Sequence, residues 1–447
     1  MSVQVPEKPK FGTPSIGIPT VSDQVDRPFE PAAPRDFAEA GLDPNIAESL
    51  ILKYLVGTGS ASGATIATEL CMPAKATMDH LAVLKQQQIV VHTGTASMGD
   101  FRYALTDAGR DRAARHMLES MYVGPAPVPI DTYIESIAAQ TIAHKSPREA
   151  ALRRAFSDLL ISDQMFAMLG PAISSGRGMF LYGRPGNGKT SVAERVTACF
   201  GDEIWIPRCV LCGGLIIKLF DPANHEVVET KTSSILHADQ TDPRWVRIKR
   251  PTIVVGGELT MDALDVQYNA TTKTCEAPIQ MKSNCGTLVI DDFGRQRMRP
   301  IELLNRWIVP LEKRYDFLAL PNGRKFRIPF DQLIIFSTNL EPKELCDDAF
   351  LRRIPYKIHF GDPTEAEFRK LFDFVAPQVG FTLDDDAWSA IDYLIETHYR
   401  KAKRSFRCCQ PRDLLLQVRN RCVYQNQPLR LTPELLDYAV SVYFTIM

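Results

Sequence analysis

Apolar positions recur at helical spacing over Ile46-Ala47-Glu48-Ser49-Leu50-Ile51-Leu52-Lys53-Tyr54-Leu55, again over Gly63 to Leu70, and again over Ala76 to Gln88, which predicts three helices. The period then shortens. Ile89-Val90-Val91-His92, a Gly/Ser/Thr turn and Phe101-Arg102-Tyr103-Ala104-Leu105 predict a two-stranded unit. Upstream, residues 1–34 carry seven prolines and few large apolar groups, too little buriable surface to offset ordering entropy, so a disordered tail is expected. Downstream, Gly124-Pro125-Ala126-Pro127-Val128-Pro129 predicts a semi-rigid joint within 119–146. A helix follows over Pro147 to Phe156 and Asp158 to Leu160, with proline in its first turn, and leads to the apolar run Met179-Phe180-Leu181-Tyr182. A second core strand is expected near Ile204 to Val210, and from there to Cys285 the pattern resolves into no further element. Leu288-Val289-Ile290 and Leu333-Ile334-Ile335-Phe336 predict buried strands, and two alternating runs around Pro321-Asn322-Gly323-Arg324 predict a β-hairpin.

At 447 residues the chain has room for about three domains, and an apolar content of 45% supplies their cores. A net charge of −1 gives no overall attraction to nucleic acid or to an anionic membrane surface. The ten cysteines follow no framework spacing and no secretory signal precedes them, so a cytoplasmic, reducing compartment is expected. No run approaches ~18 uninterrupted apolar residues, so no membrane insertion is expected.

Nucleotide chemistry concentrates at one turn. Gly183-Arg184-Pro185-Gly186-Asn187-Gly188-Lys189-Thr190 fits G-x-x-x-x-G-K-[ST], entered from an apolar strand and followed by the helical Ser191-Val192-Ala193-Glu194-Arg195-Val196. Glycines let such a backbone curl with its N–H groups around an anion that also meets a helix N-terminus. ATP is therefore the expected ligand, bound by Gly183 through Ser191, with Lys189 against the β- and γ-phosphates and the Thr190 hydroxyl on Mg²⁺. Gly286-Thr287-Leu288-Val289-Ile290-Asp291-Asp292-Phe293-Gly294 ends a buried strand in two carboxylates. Asp291 is expected in the Mg²⁺ shell and Asp292 beside the attacking water. Asn339 ends the next strand, where its amide can hold that water or touch the γ-phosphate; Arg352 and Arg353 follow Asp347-Asp348-Ala349-Phe350-Leu351, and Arg412 opens a helix at Gln410-Pro411-Arg412-Asp413.

In this order the motifs resemble those of an AAA+ ATPase: Walker A at Gly183 to Thr190, Walker B at Leu288 to Asp292, a sensor 1 residue at Asn339, an arginine finger at Arg352 or Arg353, and a sensor 2 arginine at Arg412. The resemblance covers about residues 147 to 447. It implies an α/β core with a parallel sheet flanked by helices over 147–361 and a helical lid over 362–447. The hairpin before the sensor 1 strand resembles the insertion of the branch holding MoxR-like chaperones, magnesium chelatase and sigma-54 activators. Residues 35–118 resemble a winged helix-turn-helix, an α+β domain, most tellingly in the wing close Tyr-x-Leu-Thr-x-x-Gly at Tyr103 to Gly109. One departure is Asp292, where the family usually has Glu; one methylene fewer weakens the expectation of fast hydrolysis.

Three functions follow from the resemblance: a ring-forming protein-remodelling motor, expected as a hexamer with a protein client; a DNA-directed ATPase that reads through the winged helix; and a slow, ATP-dependent assembly switch. Charge favours the first over the second. Over residues 36–118 Lys and Arg number seven against nine Asp and Glu, a net of −2, and the recognition helix offers only Lys75, His80 and Lys85. Two weaker patterns remain. Cys209 and Cys212 have a metal-like spacing but no second close pair, which favours free thiols. The basic run His398 to Arg407 reads as a solvated lid surface near the nucleotide.

Overall fold

The computed structural model describes residues 29–143, 145–228 and 241–444. Most of the expected tail, 1–28, lies outside them. Residues 29–34 are held in place: Asp242 N donates to Pro31 O at 2.9 Å, Ala32 bridges Thr241, and the Phe29 ring meets Trp245 at 5.6 Å.

Five parallel strands form the central sheet, in the order Thr252–Val255, Thr287–Ile290, Leu333–Thr338, Met179–Tyr182, Tyr356–His359. Counted along the chain, the order is 2-3-4-1-5. The three inner strands are almost wholly buried, and the two edge strands alternate between buried and open positions. Strand period two sends neighbours to opposite faces. Phe180, Leu288, Ile290 and Phe336 pack with Leu303, Leu304 and Trp307 on one face; Met179, Leu181, Val289 and Ile335 pack with Leu169, Ile173, Val192 and Ala193 on the other. The α/β class is therefore as expected, a parallel sheet covered by helices on both sides.

The second core strand is Thr252–Val255, not the run Ile204 to Val210. Pro207 splits that run: Glu203–Pro207 pairs antiparallel with Trp245–Lys249, and Cys209–Cys212 joins a separate five-stranded sheet. A proline has no N–H for a central ladder. The second sheet runs Gln267–Asn269, Thr274–Glu276, Leu215–Lys218, Cys209–Cys212, Val128–Pro129, so the described residues of the untraced stretch before Gly286 form a β-rich insertion. The joint expected at 119–146 is packed too. Val128–Pro129 pairs parallel with Cys209–Cys212, and Ile130–Gln140 is a helix whose buried Tyr133, Ser136, Ile137 and Gln140 stand at helical spacing.

N-terminal to the insertion lie the helices Pro44–Thr58, Gly63–Glu69 and Ala74–Gln86, the expected hairpin Val90–Thr95 with Phe101–Leu105, and an additional strand Ser60–Ser62 on the latter. A fourth helix, Asp107–Glu119, closes this part; Thr106 caps it by accepting from Gly109 N. Cys209 of the insertion sits inside the core of this region, beside Tyr122 and Ala126. At the C-terminus the helices Glu365–Val379, Asp385–Leu394, Gln410–Tyr424 and Pro433–Tyr443 enclose Phe368, Phe372, Leu394, Leu414 and Leu436. Among the described residues no helix is long and apolar enough to cross a membrane.

A buried ion pair fastens the N-terminal region to the insertion. Arg244 and Asp242 are both about 5% exposed and pair at 2.7 Å, while Arg244 Nη1 donates to Ala40 O at 2.8 Å and Pro127 O at 3.2 Å. Replacing Arg244 with Ala removes the buried Asp242 carboxylate's counter-ion, leaving it the backbone N–H of residue 244, and takes the guanidinium donor from two carbonyls. The expected cost is about 3–5 kcal/mol, read as a lower thermal unfolding midpoint than wild type. An unchanged midpoint would show that the pair holds nothing.

Candidate active site

At the C-terminal end of strand Met179–Tyr182 the chain turns sharply through glycines and enters the helix Lys189–Arg195. Two glycines are required by space as well as by dihedral angle. Gly183 has φ +134° and a Cβ there would lie 2.3 Å from Phe360 O; Gly186 has φ +83° and a Cβ would lie 2.6 Å from Cys409 Sγ. The curl brings the Lys189 ammonium back under the loop, where it donates to Gly183 O at 2.8 Å, Arg184 O at 3.0 Å and Asn339 Oδ1 at 2.8 Å. Lys189 is 6% exposed. Burial lowers its pKa, and the negative charges of Asp291 and Asp292 oppose that lowering.

Carboxylates come from the neighbouring strands. Thr190 Oγ1 donates to Asp291 Oδ2 at 3.1 Å, a hydroxyl and a carboxylate side by side at the end of Thr287–Ile290. Hard oxygen donors of this kind fit Mg²⁺. Asn339 spans the site: its Oδ1 accepts from Lys189 and its Nδ2 donates to Asp292 Oδ1 at 3.1 Å. Asp292 is held at φ +47°, a left-handed conformation unusual for Asp, and its carbonyl accepts from Arg295 N at 3.0 Å. Such local strain gathers where a side chain must be aimed.

Of the residues expected here, Gly183, Gly186, Gly188, Lys189, Thr190, Asp291, Asp292 and Asn339 converge. Ser191 continues the helix and Pro185 is an exposed member of the loop. Arg184 and Asn187 turn instead to Asp362, at 3.4 and 3.0 Å. The other three expected arginines have different surroundings in the chain. Arg412 is 62% exposed and pairs with its neighbour Asp413 at 3.2 Å. Arg353 pairs with Glu312 at 2.6 Å, and exposed Arg352 makes no ion pair among the described residues.

Motif reading missed the loop that the lid lays on the glycines. Cys409 N donates to Gly186 O at 2.9 Å, Cys408 N to Asn187 Oδ1 at 3.4 Å, and the Arg407 guanidinium to Asp362 Oδ1. Burial pushes the Asp362 carboxyl up, but the Asn187 and Arg407 bonds leave it below the usual carboxylate range. The one signal in sequence was the basic run ending at Arg407. Cys209 and Cys212 lie in different cores, and no group of three His, Cys, Asp or Glu side chains is placed to hold a metal ion among the described residues.

A family model described as a domain of unknown function (DUF8689) matches residues 364–442. No curated protein matches the chain. Among solved structures, NtrX from Brucella abortus in complex with ADP is similar at 14% identity and a TM-score of 0.39, over 64% of this chain and 56% of that one. A BchI and BchD complex of magnesium chelatase is similar at 16% identity and 0.35, over 64% and 95%. A point mutant of RuvB from Thermotoga maritima stands at 12% and 0.35, over 66% and 70%.

Gly183→Ala tests the loop. Its Cβ meets backbone rather than a yielding side chain, so a stability loss of about 1–3 kcal/mol is expected, together with a displaced Lys189. A thermal midpoint equal to wild type would mean that the loop tolerates a wider curl.

Proposed function

We propose that the chain is an ATP-binding and ATP-hydrolysing protein of the AAA+ type, acting in the cytoplasm as a ring, a hexamer by resemblance, that remodels a protein client. One observation carries the reading: Lys189, Thr190 with Asp291, and Asn339 with Asp292 meet at the end of three adjacent parallel strands. The loop N–H groups and Lys189 bind the β- and γ-phosphates. Thr190 and Asp291 hold Mg²⁺, which when bound neutralises charge on the phosphate oxygens. Asp292 accepts a proton from the attacking water, and Asn339 fixes the carboxylate's direction. Arg352 and Arg353, on the turn after helix Asp348–Leu351, serve a neighbouring protomer's site, and Arg412, opening the lid helix, contacts nucleotide when subunits assemble.

For residues 35–118, read as a winged helix, the support favours a protein partner over DNA. Of the three basic groups on helix Ala74–Gln86, His80 turns inward against Phe37 at 5.8 Å, and Lys85 Nζ lies 3.3 Å from His92 Nδ1. Few cations remain for phosphate neutralisation. Random duplex DNA is expected to bind weakly at physiological salt and with a shallow salt dependence. Submicromolar affinity with a steep slope in a fluorescence titration would make the DNA-directed ATPase the better reading.

Lys189→Ala is expected to abolish tight ATP binding in calorimetry, since the phosphates lose their direct cation. Equal affinity for variant and parent would sink the nucleotide assignment. Asp291→Asn should keep part of the binding and lose Mg²⁺-dependent turnover. Arg352→Ala or Arg353→Ala should lower turnover by about 10³ to 10⁵ with little change in affinity, because a finger acts as the γ-phosphoryl transfers. Mixing either variant with Lys189→Ala should restore activity through interfaces that join an intact loop to an intact arginine. Mixed oligomers no more active than their parents would rule out a shared site.

A further inference from the structure

A carboxylate with no part in the roles above joins the lid to the glycine-rich loop. Asp362 follows the edge strand Tyr356–His359 by three residues. Its Oδ1 accepts from Asn187 Nδ2 at 3.0 Å and from the Arg407 guanidinium, and its Oδ2 accepts from Arg184 Nη1 at 3.4 Å. Two of these donors belong to the loop itself. The third comes from the lid segment whose Cys409 N donates to Gly186 O at 2.9 Å. Arg407 is held there from the lid side: its N donates to Gln410 Oε1 at 2.8 Å, and the same oxygen accepts from Tyr399 OH at 3.0 Å. Arg184 donates further to Ser405 Oγ at 3.1 Å. Arg407 is 20% exposed, against 62% for Arg412.

We propose that Asp362 competes with the nucleotide's phosphates for the Arg407 guanidinium, a second lid cation beside the loop, so that Asp362 sets nucleotide affinity and latches the lid to the loop. The proposal rests on the nucleotide reading of the loop. Its chemistry is that of alternative acceptors. A planar guanidinium pairs with a carboxylate or a phosphate through the same fork, and cannot satisfy both fully. Asn187 and Arg184 make the same choice, because a loop that wraps a polyphosphate must turn its donors inward. Nucleotide affinity is then reduced by the work of drawing Arg407 from Asp362, in the way a competing state lowers any apparent affinity.

The test is the affinity for ADP and for ATP with Mg²⁺, by fluorescence titration of the full chain, with thermal unfolding recorded for each variant. Arg407→Ala should bind roughly 10-fold more weakly, the effect of one charge-assisted hydrogen bond, and Arg407→Lys should recover part of the loss. Asp362→Asn keeps an acceptor for Asn187 but removes the competing charge, so it should bind about 3- to 10-fold more tightly. Hydrogen exchange at the Cys409 amide should be faster in Asp362→Asn without nucleotide, as the latch weakens. If Arg407→Ala does not fold, Arg407→Lys and Asp362→Asn still decide. Unchanged affinity in the Arg407 variants, or weaker binding by Asp362→Asn, overturns the proposal while the nucleotide reading stands. Failure of the wild-type chain to bind either nucleotide overturns both.

Discussion

An ammonium taken out of water must be given acceptors, and the buried Lys189 finds three: two carbonyls of its own loop and the amide oxygen of Asn339. The first two require the tight curl that Gly183 and Gly186 permit. The third fixes the sheet, because Asn339 follows the end of Leu333–Thr338, which must therefore lie beside Met179–Tyr182. Thr190 and Asp291 impose the same demand one strand further out, on Thr287–Ile290. Asn339 then passes the constraint on to Asp292 through its other end. Loop, strand order and both carboxylates are thus tied to the solvation of one cation.

What was legible in the sequence was what is local. The strand, glycine turn and helix around Lys189 stand within about twenty residues, and the apolar run into Asp291-Asp292 announces a buried strand without help from any neighbour. The hairpin Tyr315–Ala319 with Lys325–Pro329 was equally clear, since its turn and both strands are contiguous. Strand pairing was not. Alternation says which face of a strand is buried and nothing about the sheet it joins, so Ile204 to Val210 read as core although Pro207 divides it between two other sheets. Thr252–Val255 has the better claim because it extends the ladder beyond Thr287–Ile290, a relation between residues about 35 apart.

Val128–Pro129 shows the limit most plainly. A two-residue strand has no period to detect, and its partner Cys209–Cys212 is about eighty residues away. Prolines before and within it suggested a joint, yet the segment is an edge of the insertion's sheet, a position where proline is tolerated because one side of the strand needs no ladder. The helix after it, Ile130–Gln140, packs Tyr133 and Ile137 into the same core as Leu318 and Ile328 of the hairpin. The insertion thereby connects the N-terminal region to the hairpin that precedes strand Leu333–Thr338.

The two junctions of the α/β core differ in chemistry, and the difference says which of them can move. On the N-terminal side Cys209 lies inside an apolar core with Leu50, Tyr122 and Ala126, and Arg244 is sealed beneath it. Separating these surfaces would expose apolar area and a buried ion pair at once. On the lid side the apolar core is the lid's own, from Phe368 to Val440, and it shares no residue with the cores on either face of the sheet. What crosses that junction at the loop is polar: Cys409 N to Gly186 O, Cys408 N to Asn187, and Arg407 with Arg184 around Asp362. Water can replace polar contacts at an exposed seam at small net cost, about 0.5–1.5 kcal/mol for an ordinary hydrogen bond. The lid junction is therefore the one that opens at the smaller cost, because parting it at the loop breaks polar contacts and not an apolar core.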